Sequence, residues 1–172
     1  MKVPVLWHGG LLAGALLCPG TSLQAQTDAC ALLKPADLTA LLGGSPIAKS
    51  STGGCTWSAA GSPKKLLAMS PRAAGPDATM AFMGARNAAA KGGTVTVTDE
   101  VGLGDKAFAS LESFGVALVM LKQGRLLQLQ YWAGAAGTAK DLNALRPVAK
   151  RAIAAACHAR RRNPRIAAHA CP

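Results

Sequence analysis

The chain has 172 residues, half of them apolar, and carries 19 Lys and Arg against 8 Asp and Glu for a net charge of +11. That length fits one ordinary domain, and the apolar content excludes a disordered polymer. No run approaches the roughly 20 apolar residues of a spanning helix, which excludes a polytopic membrane protein.

Residues 1–25 read as an export signal. Lys2 is the only charge before Asp28, and Leu11 to Leu17 form a short apolar core. Pro19-Gly20 break that core, and Leu23-Gln24-Ala25 set a small residue at the cleavage position, completing the three-part secretory layout. The expectation is an exported protein, periplasmic or secreted, with no transmembrane segment after cleavage. Cys18 also ends the apolar core, as the lipidated cysteine of a lipoprotein does. Leu17 stands before it where a small residue is usual, so lipid anchoring through Cys18 is the lesser reading. Cleavage leaves Cys30, Cys55, Cys157 and Cys171, an even number in an oxidising compartment, which favours disulfides over thiols or metal thiolates. Four cysteines allow three pairings. Chain proximity suggests Cys30–Cys55 and Cys157–Cys171, each loop contributing roughly 3 kcal/mol by chain entropy.

In the mature chain, Leu32, Leu33, Leu38, Leu41 and Leu42 recur at helical spacing, and Pro35 and Asp37 suit a first turn. The spacing predicts a helix over 35–42, stopped at Gly43-Gly44. Residues 45–54 read as a loop. Cys55 to Ser58 predicts a strand, and Lys65 to Ser70, beyond the Gly61-Ser62-Pro63 turn, its hairpin partner. Asp77 to Lys91 predicts a second helix, with Phe82, Ala85 and Ala89 on one face and Gly92-Gly93 closing it. Thr94 to Thr98 alternates β-branched residues and predicts a strand, and another is expected around 106–111. Phe114–Leu121 and Leu126–Trp132 predict a hairpin across Lys122 to Arg125, with Leu127, Leu129 and Tyr131 facing one way and Gln128 and Gln130 the other. The last and longest helix opens on a capping box of Thr138 and Asp141. Leu142, Leu145, Ala149, Ala152, Ile153 and Ala156 form its apolar stripe, and Pro147 is expected to kink or restart it.

This order predicts an α+β fold: an antiparallel sheet of about five strands with two or three helices packed on one face. Residues 26–157 form that single domain, and 158–172 a basic, flexible tail. Three motifs stand out: Cys30-Ala31-Leu32-Leu33 running to Gly43, Cys55-Thr56-Trp57, and the Gly102-Leu103-Gly104-Asp105 turn. Together with the closing hairpin and terminal helix they resemble small exported or lipoprotein-type bacterial domains of unknown function, over roughly residues 30–157. The resemblance implies an envelope location and a Cys30–Cys55 bridge, and Trp57, beside Cys55 in the sequence, is expected to pack over that bridge. It carries no activity.

Gly102 to Ala107 also satisfies the letter of a dinucleotide fingerprint. A helix should then open there and an acid follow about 20 residues on. A strand follows instead, Gly124-Arg125 occupy the acidic position, and no cofactor is expected. Cys157, His158, His169 and Cys171 gather metal-capable side chains, but in spacings unlike the separated pairs of structural zinc, so a disulfide is preferred to a metal-binding tail. Asp99, Glu100, Asp105 and Glu112 are the candidate carboxylates of an envelope hydrolase. Asp99 and Glu100 are expected on opposite faces of a strand, and edge charges are the plainer reading. A hydroxyl nucleophile would need a histidine base, and the mature histidines are tail residues. Met80 and Met83 are expected to fill core gaps. Six aromatics after Ala25 give poor support to a nucleic-acid stacking platform. Tyr131 and Trp132 end a strand, where core or edge packing is expected.

The positive charge is the remaining signal. Lys140, Arg146, Lys150 and Arg151 lie on the last helix, followed by Arg160, Arg161, Arg162 and Arg165. Lys150, Arg151 and the four tail arginines are the candidate electrostatic contacts to an anionic envelope lipid or polymer, or to an acidic protein. The reading is therefore an exported, non-catalytic envelope domain that binds an anionic partner.

Overall fold

The computed structural model describes residues 29–72, 77–92 and 95–161. Residues 1–28, which include Cys18 and the stretch expected to be an export signal, and residues 162–172, which include Arg162, Arg165, His169 and Cys171, lie outside the described residues. A short 3-10 helix, Ala29–Leu32, leads into α1, Pro35–Leu42. Pro35 begins α1 because its missing N–H removes nothing there. The Lys34 N–H donates to Asp37 Oδ2 at 3.1 Å, satisfying a backbone donor just ahead of the first turn.

Three antiparallel strands follow: β1, Pro46–Ser51, β2, Gly54–Ala59, and β3, Ser62–Arg72. Helix α2, Ala78–Lys91, separates them from a second antiparallel run. That run is β4, Thr96–Asp99, β5, Lys106–Glu112, β6, Gly115–Lys122, and β7, Arg125–Trp132. The two runs join where β3 pairs antiparallel with β7, from Leu66↔Trp132 to Arg72↔Leu126. The result is one seven-stranded sheet in the order β1-β2-β3-β7-β6-β5-β4. The fold is α+β, as expected, but with seven strands instead of about five. The segment read as a loop contains β1, whose Pro, Ser and Lys content predicts no strand. Its pairing with β2 makes it one, an override of local preference by context.

The alternation of side chains along each strand builds two unlike faces. On one face Cys55, Trp57, Leu67, Met69, Leu118, Met120, Leu127 and Leu129 are buried with the apolar sides of α1 and α3 in the larger core. On the other, Phe108, Val119, Leu121 and Leu126 are buried under Ala78 and Phe82 of α2. Phe82 meets Phe108 edge-on, ring centroids 5.4 Å apart. Two helices thus share one face, and α2 lies on the opposite one. Gly115 opens β6 at φ 153°, where an added Cβ would overlap the Tyr131 carbonyl of β7, so the close β6–β7 approach there requires glycine.

Helix α3 spans Ala139–Arg161. Its expected capping box forms: Thr138 N–H donates to Asp141 Oδ2 at 3.0 Å, and Asp141 N–H to Thr138 Oγ1 at 3.2 Å. It continues through Pro147 without a restart, because Leu145, Val148 and Ala149, all buried, hold both halves to the same sheet face. It also runs four residues past Cys157, so Arg160 and Arg161 belong to the helix. The Arg125 Nη1 donates to the Ala156 carbonyl at 3.5 Å, tying the start of β7 to α3.

Candidate functional site

The four candidate carboxylates go to four different partners. Asp99, on β4, accepts a forked pair from Arg86 of α2, with Nε to Oδ1 at 2.9 Å and Nη2 to Oδ2 at 3.1 Å. The hydrogen bond from Arg86 holds the Asp99 carboxyl below the usual carboxylate range. Glu100, one residue on, goes to the opposite face, as expected. Arg146 of α3 donates Nε to its Oε2 at 2.7 Å and Nη2 to its Oε1 at 2.8 Å. The Glu100 side chain is only 5% exposed against 40% for Arg146, and the hydrogen bond to Glu100 raises the guanidinium's affinity for its proton. Asn143 Oδ1 accepts a further bond from Arg146. This pair therefore ties the β4–β5 connection to α3.

Asp105 explains the Gly-x-Gly-Asp turn. Its N–H donates to the Leu121 carbonyl at 2.8 Å, and its Oδ2 accepts the Gln123 N–H at 2.6 Å. Gly104 sits at φ 110°, where a Cβ would lie 2.6 Å from that same Leu121 oxygen. The motif clamps one turn onto the β6–β7 hairpin and leads into a strand, not into the helix a phosphate site requires. Glu112 accepts Ser110 Oγ–H at 3.1 Å and Gln130 Nε2–H at 3.2 Å. The fold does not bring Asp99, Glu100, Asp105 and Glu112 to a common site.

Cys30 and Cys55 are bridged, Cα atoms 5.1 Å apart, which fastens the short helix at Ala29–Leu32 to β2. Trp57, two residues beyond Cys55 on the same strand face, is buried in the same core. Cys157 is buried near the end of α3, and its suggested partner Cys171 lies outside the described residues. His158 is exposed, and among the described residues no three His, Cys, Asp or Glu side chains gather as a metal site.

Two smaller expectations resolve differently. Met80 and Met83 do not fill the core. The phase of α2 turns Ala78 and Phe82 inward and leaves these methionines exposed. Tyr131 and Trp132, adjacent on β7, point to opposite faces. The Tyr131 hydroxyl donates to the Leu41 carbonyl at 3.2 Å, locking β7 to α1, and burial pushes its pKa up. Trp132 is half-buried on the other face.

The basic residues are distributed otherwise. On α3, Arg146 serves Glu100, and Arg151 Nη1 reaches Asp37 Oδ1 at 2.7 Å while its side chain stays 58% exposed. Lys140 and Lys150 are exposed, and no ion pair engages either among the described residues. The only acid on α3, Asp141, is taken by its cap. A second basic region lies at the β1 end of the sheet. Residues 38–76, which build β1, β2 and β3, contain Lys49, Lys64, Lys65 and Arg72 and no acid at all. That gap was visible in the sequence, but its meaning depends on those strands forming one end of the sheet. No family model, curated protein or solved structure matches this chain.

Proposed function

We propose that this chain is an exported, non-catalytic domain of the cell envelope that attaches to an anionic component through its basic surface, with α3 as the principal contact. The observation that carries this reading is the asymmetry of charge pairing. Asp37, Asp99, Glu100, Asp105, Glu112 and Asp141 all bind partners inside the fold. Lys140 and Lys150 face solvent on a helix that continues into Arg160 and Arg161. Lys and Arg near an anionic surface each contribute about 1 kcal/mol, and salt screens the attraction over a Debye length of about 8 Å.

Export is supported by the layout of residues 1–25 and by the Cys30–Cys55 bridge, which suits an oxidising compartment. The pairing of the carboxylates argues against the hydrolase alternative, since each already has a structural role with a different partner. The mature protein should be retained by phosphatidylglycerol vesicles at low salt and released as salt rises. Neutral phosphatidylcholine vesicles should not retain it. Charge reversal at Lys140 and Lys150, and separately removal of residues 162–172 beyond α3, should each weaken retention. Equal retention on neutral vesicles, or indifference to both changes, would overturn the reading.

A further inference from the structure

The sheet ends on β1, and the register shows which of its backbone groups look outward. The Ala60 N–H donates to the Ser45 carbonyl at 3.0 Å, so residues 45 and 60 form a hydrogen-bonded pair. Bonded and non-bonded pairs alternate along an antiparallel ladder. Ile47↔Ser58 and Lys49↔Thr56 are therefore bonded pairs, while Pro46, Ala48 and Ser50 turn their backbone groups away from β2. Pro46 has no N–H. That leaves the N–H groups of Ala48 and Ser50, and the carbonyls of Pro46, Ala48 and Ser50, directed off the sheet. No backbone bond among the described residues engages them. Five of the six β1 residues are exposed, and Ile47 is 56% exposed.

We propose that β1 is a docking edge for an extended, acidic segment of a partner protein, which adds to the sheet as an eighth strand. Extended backbone is the occupant that matches alternating donors and acceptors at strand spacing. Charge selects its chemistry: the whole β1–β2–β3 run contains Lys49, Lys64, Lys65 and Arg72 with no acid among residues 38–76. Lys49 stands on the edge strand itself, where a cross-strand acid would pair with it. A second copy would present the same cations and pair Lys49 with no acid. This surface is separate from α3, so it stands whether or not α3 binds an anionic envelope component.

The test uses the oxidised mature protein and a blocked six-residue peptide alternating valine and glutamate. Binding should slow hydrogen exchange at the Ala48 and Ser50 amides. The same peptide N-methylated on the amides that would face β1 should not bind. Lys49→Glu should weaken the unmodified peptide by about fivefold, and Ser50→Pro, which removes an outward N–H that the β1–β2 ladder does not use, should abolish the protection at residue 48. Exchange elsewhere in the sheet reports that each variant is folded. The proposal is overturned if the acidic peptide fails to bind at millimolar concentration, or binds without protecting those amides. It is equally overturned if the N-methylated peptide or a valine–lysine peptide binds as tightly. Protection that rises with protein concentration in the absence of peptide would assign the edge to a second copy and also overturn it.

Discussion

The two faces of the sheet are built to different standards. Under α1 and α3, strands from β2 across to β5 contribute to one continuous core, closed by the Cys30–Cys55 bridge and by the Tyr131–Leu41 hydrogen bond. Under α2 the core is a small cluster around Phe82 and Phe108, confined to the β4–β7 half. Beyond it, Thr56, Ser58, Ala68, Ser70 and Gln130 lie half-buried with no described helix over them. One face therefore makes the fold, and the other is stabilised only in part. Cooperativity should follow that division, since local opening tracks the density of buried apolar contact.

The largest effects should come from the closed face. Trp57→Ala removes a buried side chain from the larger core and should cost about 4 kcal/mol, lowering the urea midpoint and speeding exchange at the amides that exchange only by global unfolding. Phe82→Ala should cost about 3 kcal/mol, and native-state hydrogen exchange should show its loss concentrated in α2. If Phe82→Ala and Trp57→Ala release the same amides, the faces form one cooperative unit and the distinction fails. Reducing the Cys30–Cys55 bridge should cost about 3 kcal/mol. Urea unfolding with and without reductant, compared with a Cys30→Ser, Cys55→Ser double variant, measures it.

The neighbouring carboxylates sharpen the contrast at single-residue scale. Glu100→Gln weakens a nearly buried acceptor that holds α3 and should cost about 2 kcal/mol. Asp99→Asn, one residue away on the α2 side, breaks an exposed pair and should leave the midpoint in place. A larger loss from Asp99→Asn would reverse the ranking of the two faces.

The smallest effect is a titration. Tyr131 is the only tyrosine of the chain, and its folded pKa is raised by burial and then by the nearby Asp141 charge. A raised folded pKa means that its contribution is fully present below the unfolded value of about 10 and is lost as pH rises through the folded pKa. Phenolate absorbance should appear later in the folded protein than in urea, and Tyr131→Phe should remove that difference.

Local chemistry made much of this readable. Pro35 and Asp37 marked the start of α1, Thr138 and Asp141 capped α3, and the alternation of Leu127 to Tyr131 assigned the faces of β7. The bridge of Cys30 to Cys55 was suggested by proximity. What escaped were features whose meaning depends on distant partners. Pro46–Ser51 is a strand because β2 lies beside it, not because its residues favour extension. Met80 and Met83 are exposed because α2 has one sheet to face and Phe82 takes that side. The carboxylates looked like a cluster along the chain, yet helices on opposite faces draw Asp99 and Glu100 apart.

The sequence alone determined the α+β class, the limits of α1 and α2, the strand periodicity and the excess of positive charge, since each rests on residues a few positions apart. Only the tertiary structure decided how that charge is arranged. Pairing across the fold depends on which elements meet, and those meetings take up the acids at Asp37, Asp99 and Glu100. Lys140, Lys150 and the acid-free end of the sheet are left facing water.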